Sequence, residues 1–125
     1  MSNLPVISII DDDESVRVAM KSFVSSLGLA VHTFPSVEEF LQSPHMHETS
    51  CLITDVQMPG ISGVELQSLL IAQGQSIPII FITAYPEERL RARLLKAGAV
   101  GFLNKPFNEK ALLQYIDMAL KRSRG

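Results

Sequence analysis

Val6-Ile7-Ser8-Ile9-Ile10-Asp11-Asp12-Asp13 is a short apolar run, rich in β-branched residues, that stops abruptly at three carboxylates. A run this short and apolar reads as a buried strand. After it, Val16, Ala19, Met20, Phe23, Val24 and Leu27 recur at i, i+3, i+4 spacing and form one apolar helix face. Asp13 suits the start of that helix, and Gly28 its left-handed C-terminal cap.

The same unit repeats along the chain. Ala30 to Phe34 is a weaker second strand, and Ser36 with Glu39 has capping-box spacing for a short helix ending near Ser43-Pro44. His45 to Ser50 is polar and reads as loop. Cys51 to Thr54 is a third strand. Ser62 with Glu65 opens a third helix carrying Val64, Leu66, Leu69 and Leu70 and stopping at Gly74. Ile79 to Ile82 is a fourth strand, Pro86 suits the first turn of a fourth helix, and Gly98 ends it. Val100 to Leu103 is a fifth strand. Asn108 then caps a fifth helix with Leu112, Leu113, Ile116, Ala119 and Leu120 inward.

Strict alternation of strand and helix predicts an α/β fold: a five-stranded parallel sheet with helices on both faces. A common order for such a sheet is 2-1-3-4-5, the flavodoxin-like arrangement. In that order the strand ends bearing Asp11-Asp12, Asp55, Thr83 and Lys105 are consecutive neighbours at the carboxyl edge, where open α/β sheets bind ligands. Strand two, which ends in Phe34-Pro35, falls at the far edge.

The chain has 125 residues, 46% of them hydrophobic, so residues 1–125 are expected to form one domain. A net charge of −2 gives no bulk attraction to nucleic acid or to an anionic membrane. Cys51 is the sole cysteine and lies in a strand, which predicts a buried inert thiol and fits a reducing compartment. No apolar stretch approaches the roughly 20 residues that span a bilayer, and the N-terminus lacks secretory features, so the expected location is the cytosol. His32, His45 and His47 show no ligand spacing and read as surface residues. Lys121, Arg122 and Arg124 read as a solvated helix end.

Three carboxylates at one edge cannot stay ionised together without a counter-charge. A hard cation such as Mg²⁺, held by carboxylates, a carbonyl and water, keeps coordination positions free for phosphate oxygens. A carboxylate can also attack phosphorus and give an aspartyl phosphate. In that chemistry Lys105 would pair with one phosphoryl oxygen and Thr83 could donate to another.

Ile9-Ile10-Asp11-Asp12-Asp13-Glu14, Ile53-Thr54-Asp55-Val56-Gln57-Met58-Pro59-Gly60-Ile61-Ser62-Gly63-Val64-Glu65-Leu66, Phe81-Ile82-Thr83-Ala84-Tyr85 and Lys96-Ala97-Gly98-Ala99-Val100-Gly101-Phe102-Leu103-Asn104-Lys105-Pro106-Phe107 together resemble the receiver domain of bacterial two-component response regulators. The second and fourth segments resemble the FixJ type, whose receivers usually precede a helix-turn-helix DNA-binding domain. The resemblance implies a phosphorylation-dependent switch rather than a metabolic enzyme. Asp55 would be the phospho-acceptor, supplied by a sensor histidine kinase. Asp12, Asp55 and the backbone carbonyl of Gln57 would ligate Mg²⁺ (Mn²⁺ substituting), with Asp11 reaching it through water. Thr83 and Lys105 would contact the phosphoryl group, and Gln57 and Tyr85 would border it.

Phe102 would hold the aromatic switch position, turned outward before phosphorylation, and the Lys105-Pro106 bond would be cis. Helix four, strand five and helix five would form the switching surface and a possible homodimer contact. DNA would be reached only through an output domain outside this chain. A competing reading is a phosphohydrolase of the haloacid dehalogenase type, since Asp11-x-Asp13-x-Ser15 loosely imitates its nucleophile motif. A phosphate-independent interaction module with a degenerate site is a third.

Overall fold

Strands that are apolar on both sides require cover on both faces. The computed structural model describes residues 4–124, with side chains through residue 122. β1 (Val6–Ile10), β2 (Ala30–Phe34), β3 (Cys51–Asp55), β4 (Ile79–Thr83) and β5 (Gly101–Asn104) form one all-parallel sheet in the order β2-β1-β3-β4-β5. α1 (Glu14–Ser26), α2 (Val37–Gln42), α3 (Gly63–Ala72) and α4 (Glu88–Lys96) connect the strands, and α5 (Glu109–Arg124) follows β5.

The pleat divides the apolar strands between two cores. Leu52, Phe81 and Phe102 face α2, α3 and α4, where they meet Phe40, Leu66, Leu70 and Leu94. Cys51, Ile53, Ile80 and Ile82 face the other way, against Met20 and Val24 of α1 and Leu112, Ile116 and Ala119 of α5. The expected strand order and two-faced cover are both present.

Helix ends follow local chemistry. The Asp13 carboxylate accepts from the Ser15 and Val16 amides and caps α1. The Ser62–Glu65 capping box is complete. The one expected at Ser36–Glu39 is half made: Ser36 accepts from the Glu39 amide, but Glu39 makes no return bond. Gly28, Gly74 and Gly98 all have positive φ beyond helix ends.

Further expectations need correction. The segment read as loop contains a 3₁₀ helix, Pro44–Glu48, capped by Ser43 and anchored by buried Met46. A single apolar residue gives no periodicity by which to recognise such a turn. Pro86 is not in α4, which begins at Glu88 after an N-cap, Glu87, that makes no side-chain bond. Leu113 is 44% exposed. It sits about 100° around the helix from Leu112, so the two cannot both face the sheet.

Arg122, expected to be merely solvated, donates to the Gly98 carbonyl (2.9 Å) and ties the end of α5 to the turn after α4. The Arg124 side chain lies outside the described residues. Among the described residues no helix is long and apolar enough to cross a membrane.

Candidate functional site

The ladder continues one residue beyond β1, β3 and β5. The Asp11 amide bonds Phe34 O (3.1 Å), the Val56 amide bonds Ile82 O (3.0 Å), and the Lys105 amide bonds Thr83 O (2.8 Å). The backbone is thus fixed where these three strands leave the sheet, and their polar side chains issue from a rigid edge.

One carboxylate oxygen from each of Asp11, Asp12 and Asp55 can be chosen so that all three lie within 4.8 Å of one another. Asp11 and Asp55 are buried, and Asp12 is exposed at the mouth. Lys105 crosses from β5, its Nζ 2.8 Å from Asp55 Oδ2 and 2.9 Å from Asp11 Oδ2. Its well-directed hydrogen bond goes to Asp55; the approach to Asp11 is a charge contact. Asp55 Oδ1 accepts from the Gln57 amide (3.2 Å) and Asp11 Oδ1 from the Asp13 amide (2.9 Å).

Burial pushes the Asp11 carboxyl up, and the neighbouring Asp55 charge adds to this, against the downward pull of Lys105 and the Asp13 amide. For Lys105, burial works downward, but contact with Asp55 and then with Asp11 outweighs it and raises the ammonium.

Thr83 is buried, and its Oγ1 accepts from the Tyr85 amide (3.1 Å), which leaves the hydroxyl proton free to donate. Tyr85 and Gln57 are exposed. The Lys105–Pro106 bond is cis. Phe102 does not face outward as expected: it is 8% exposed and packs in the core with Phe81 and Leu94. It still forms the floor of a cleft of about 600 Å³ bounded by Pro86, Arg91, Asn104 and Pro106.

The acidic cluster fits a hard cation by its charge. Lys105 sets one ammonium against three carboxylates, its Nζ 2.9 Å from Asp11 Oδ2 and 2.8 Å from Asp55 Oδ2, which leaves negative charge for a cation to balance. All-oxygen donors of this kind suit Mg²⁺ or Mn²⁺.

Two supporting residues escaped the sequence. Glu38 of α2 accepts the Ile61 amide through Oε2 (3.3 Å) and holds the loop that follows Asp55. Arg17 of α1 donates to the Asp11 carbonyl (2.5 Å). Both contacts span separate elements, so no spacing along the chain signals them. The histidines are likewise not independent: His32 and His45 stack and share Glu48, and the His45 contact holds that carboxyl below its ordinary range. His47 remains exposed.

The model of the response regulator receiver domain matches residues 7–117. The chain belongs to that family. The receiver is 45% identical over 116 residues to the response regulator protein TodT of Pseudomonas putida, covering 93% of this chain and 51% of TodT. It is 39% identical over 121 residues to the transcriptional regulatory protein FixJ of Azorhizobium caulinodans, covering 97% of the chain and 57% of FixJ. It therefore spans about half the length of the curated relatives it matches.

Among solved structures it is similar to FixJ-N, with a TM-score of 0.82, 33% identity and coverage of 97% and 96%. It is also similar to the response regulator StyR, with a TM-score of 0.86, 41% identity and coverage of 97% and 61%. The receiver is thus a signalling module of two-component regulation. The phosphohydrolase reading loses part of its motif as well, because Asp13 is occupied in capping α1.

Proposed function

We propose that Asp55 accepts a phosphoryl group from a sensor histidine kinase. The Oδ–P bond forms as the phosphohistidine P–N bond breaks, and the leaving imidazole keeps that electron pair and takes up a proton. The observation that carries the reading is the convergence of Asp11, Asp12 and Asp55 with the Lys105 ammonium laid between two of them.

Asp12, Asp55 and the Gln57 carbonyl would hold Mg²⁺, with Asp11 acting through water, and Mn²⁺ would substitute. When bound, the ion supplies positive charge against the incoming phosphate. Lys105 neutralises a phosphoryl oxygen, and the free proton of the Thr83 hydroxyl is donated to another. Rigid backbone at the sheet edge holds these groups in place, and positioning of this kind is most of what phosphoryl transfer needs. The same groups would support modest self-phosphorylation from small donors and slow self-dephosphorylation.

Residues 1–125 act in this reading as one receiver domain. Control of transcription, with DNA contact through an output domain, is proposed on the names of relatives such as FixJ. Readout runs through α4, β5 and α5, where movement of Thr83 and longer persistence of the inward Phe102 packing alter the surface that binds a partner or a second copy.

Mass spectrometry after incubation with a small phosphodonor and Mg²⁺ tests the core of this. One added phosphoryl mass is expected, lost with EDTA or in Asp55→Asn. Modification that persists in Asp55→Asn would move the acceptor to Asp11 or Asp13 and overturn the assignment.

A further inference from the structure

Away from the acidic crevice, β2 and the 3₁₀ helix bring three potential metal ligands to one point. His32 Nε2 lies 3.3 Å from Glu48 Oε1, and His45 Nδ1 lies 2.7 Å from the same atom. One ligand atom from each residue falls within 4.8 Å of the others. We propose that His32, His45 and Glu48 form a second cation site, selective for a borderline transition-metal ion such as Zn²⁺ and separate from the oxygen-only site around Asp55.

The backbone supports this arrangement. In a 3₁₀ helix, residues i and i+3 eclipse, so His45 and Glu48 project from one side. Ser43 Oγ accepts the His45 amide (3.0 Å). At the other end, buried Thr49 donates to the His45 carbonyl (2.9 Å) and bonds the Ser8 hydroxyl of β1 (2.7 Å). Ser8 is the register partner of His32 on β2. The hydroxyl chain therefore ties the helix that carries two ligands to Ser8 of β1, and the β1–β2 ladder sets His32 beside that same residue.

The distances suit a metal after small movements. Zn–N bonds are about 2.0–2.1 Å, so an ion taking the place of Glu48 Oε1 requires closure of about 0.7 Å by His45 and about 1.2 Å by His32. The imidazoles are stacked at 3.7 Å and 12°, and one ion needs them to splay so that both in-plane lone pairs converge. Side-chain exposures of 32%, 41% and 51% for His32, His45 and Glu48 leave room for that rotation, for withdrawal of the carboxylate and for a water as fourth ligand. Two imidazoles and a carboxylate favour Zn²⁺, whereas the acidic crevice offers only the oxygens that Mg²⁺ prefers.

The test is titration with ZnCl₂ in excess Mg²⁺, followed by calorimetry and by ¹H–¹⁵N correlation of the imidazole nitrogens. One Zn²⁺ per chain is expected, with ring signals of His32 and His45 shifting while those of His47 stay still. His32→Gln and Glu48→Gln should each weaken binding by about tenfold or more, given that even outer-shell partners cost tenfold. Asp55→Asn should bind Zn²⁺ as the wild type does. No binding, equal shifts at His47, or binding that survives His32→Gln and disappears in Asp12→Asn would overturn the proposal. The NMR arm needs only the wild-type chain, so a poorly folding variant does not protect the idea.

Discussion

Cys51 sits in the middle strand of the sheet with no exposed surface, and burial pushes its thiol up to about 12. The folded chain thus keeps a proton that the unfolded chain releases near pH 9. The contribution to stability is complete below pH 9 and is lost as the pH rises toward 12. By linkage the loss reaches on the order of 3 kcal/mol at pH 11. Urea titrations from pH 8 to 11 should show this decline flattened in Cys51→Ala. In the folded wild type at pH 8, a thiol reagent should react only as fast as the protein unfolds. An immediate full reaction would contradict the burial. At this scale the sequence conveyed the residue types of the site well, since an Asp, Thr or Lys at the end of an apolar run is visible in one dimension. It could not reveal that Glu38 reaches Ile61 or that His32 meets His45, because each pair joins elements that only the folded chain brings together.

Among the elements, the loop from β3 to α3 is where the site and fold depend most directly on each other. Gly60 has φ +80 and lies against the Glu38 carboxylate, which is the flexible end of a side chain. Gly63 has no unusual φ, but a Cβ there would strike the Asp55 backbone carbonyl, and its amide bonds Val56 O (3.0 Å). Gly60→Ala should therefore cost about 1–2 kcal/mol, the usual penalty of left-handed backbone, and leave phosphoryl uptake largely intact. Gly63→Ala should cost more and also depress uptake by Asp55, because backbone has to move. Denaturant melts combined with the phosphodonor assay separate the two, and equal uptake in both variants would refute the distinction. Strand bounds were legible in the sequence to within a residue because apolar runs end at polar residues. The start of α4 was not. Thr83 draws the Tyr85 amide to its side chain, and no residue at 86 or 87 supplies a capping bond, so the helix begins later than Pro86 suggests.

For the whole molecule, the outer surface of α4 and α5 mixes signs: Glu88, Arg89 and Arg91 on one helix, Asp117 and Lys121 on the other, all exposed. A surface with both charges can meet a copy of itself about a two-fold axis. In the proposed reading, phosphorylation would strengthen such a dimer only to the extent that it favours the packing competent to pair. Since Phe102 is already inward, the change at β5 is expected in how long that packing persists rather than in its first appearance. Sedimentation with a beryllofluoride mimic of the phosphoryl group should show a dimer for wild type and a weakened one for Thr83→Ala. Monomers throughout would assign readout to another protein or to an output domain.

The strand order also carries a consequence in time. β1 is made first, yet it lies inside the sheet and its second neighbour, β3, begins only at Cys51. Lys105, the ammonium that separates Asp11 from Asp55, is synthesised after every other charged group of the site. On the ribosome the acids thus exist for most of synthesis without their counter-charge, and a chain stopped before residue 105 carries Asp55 in a crevice that cannot yet be assembled. Competence to signal arrives only with the last strand.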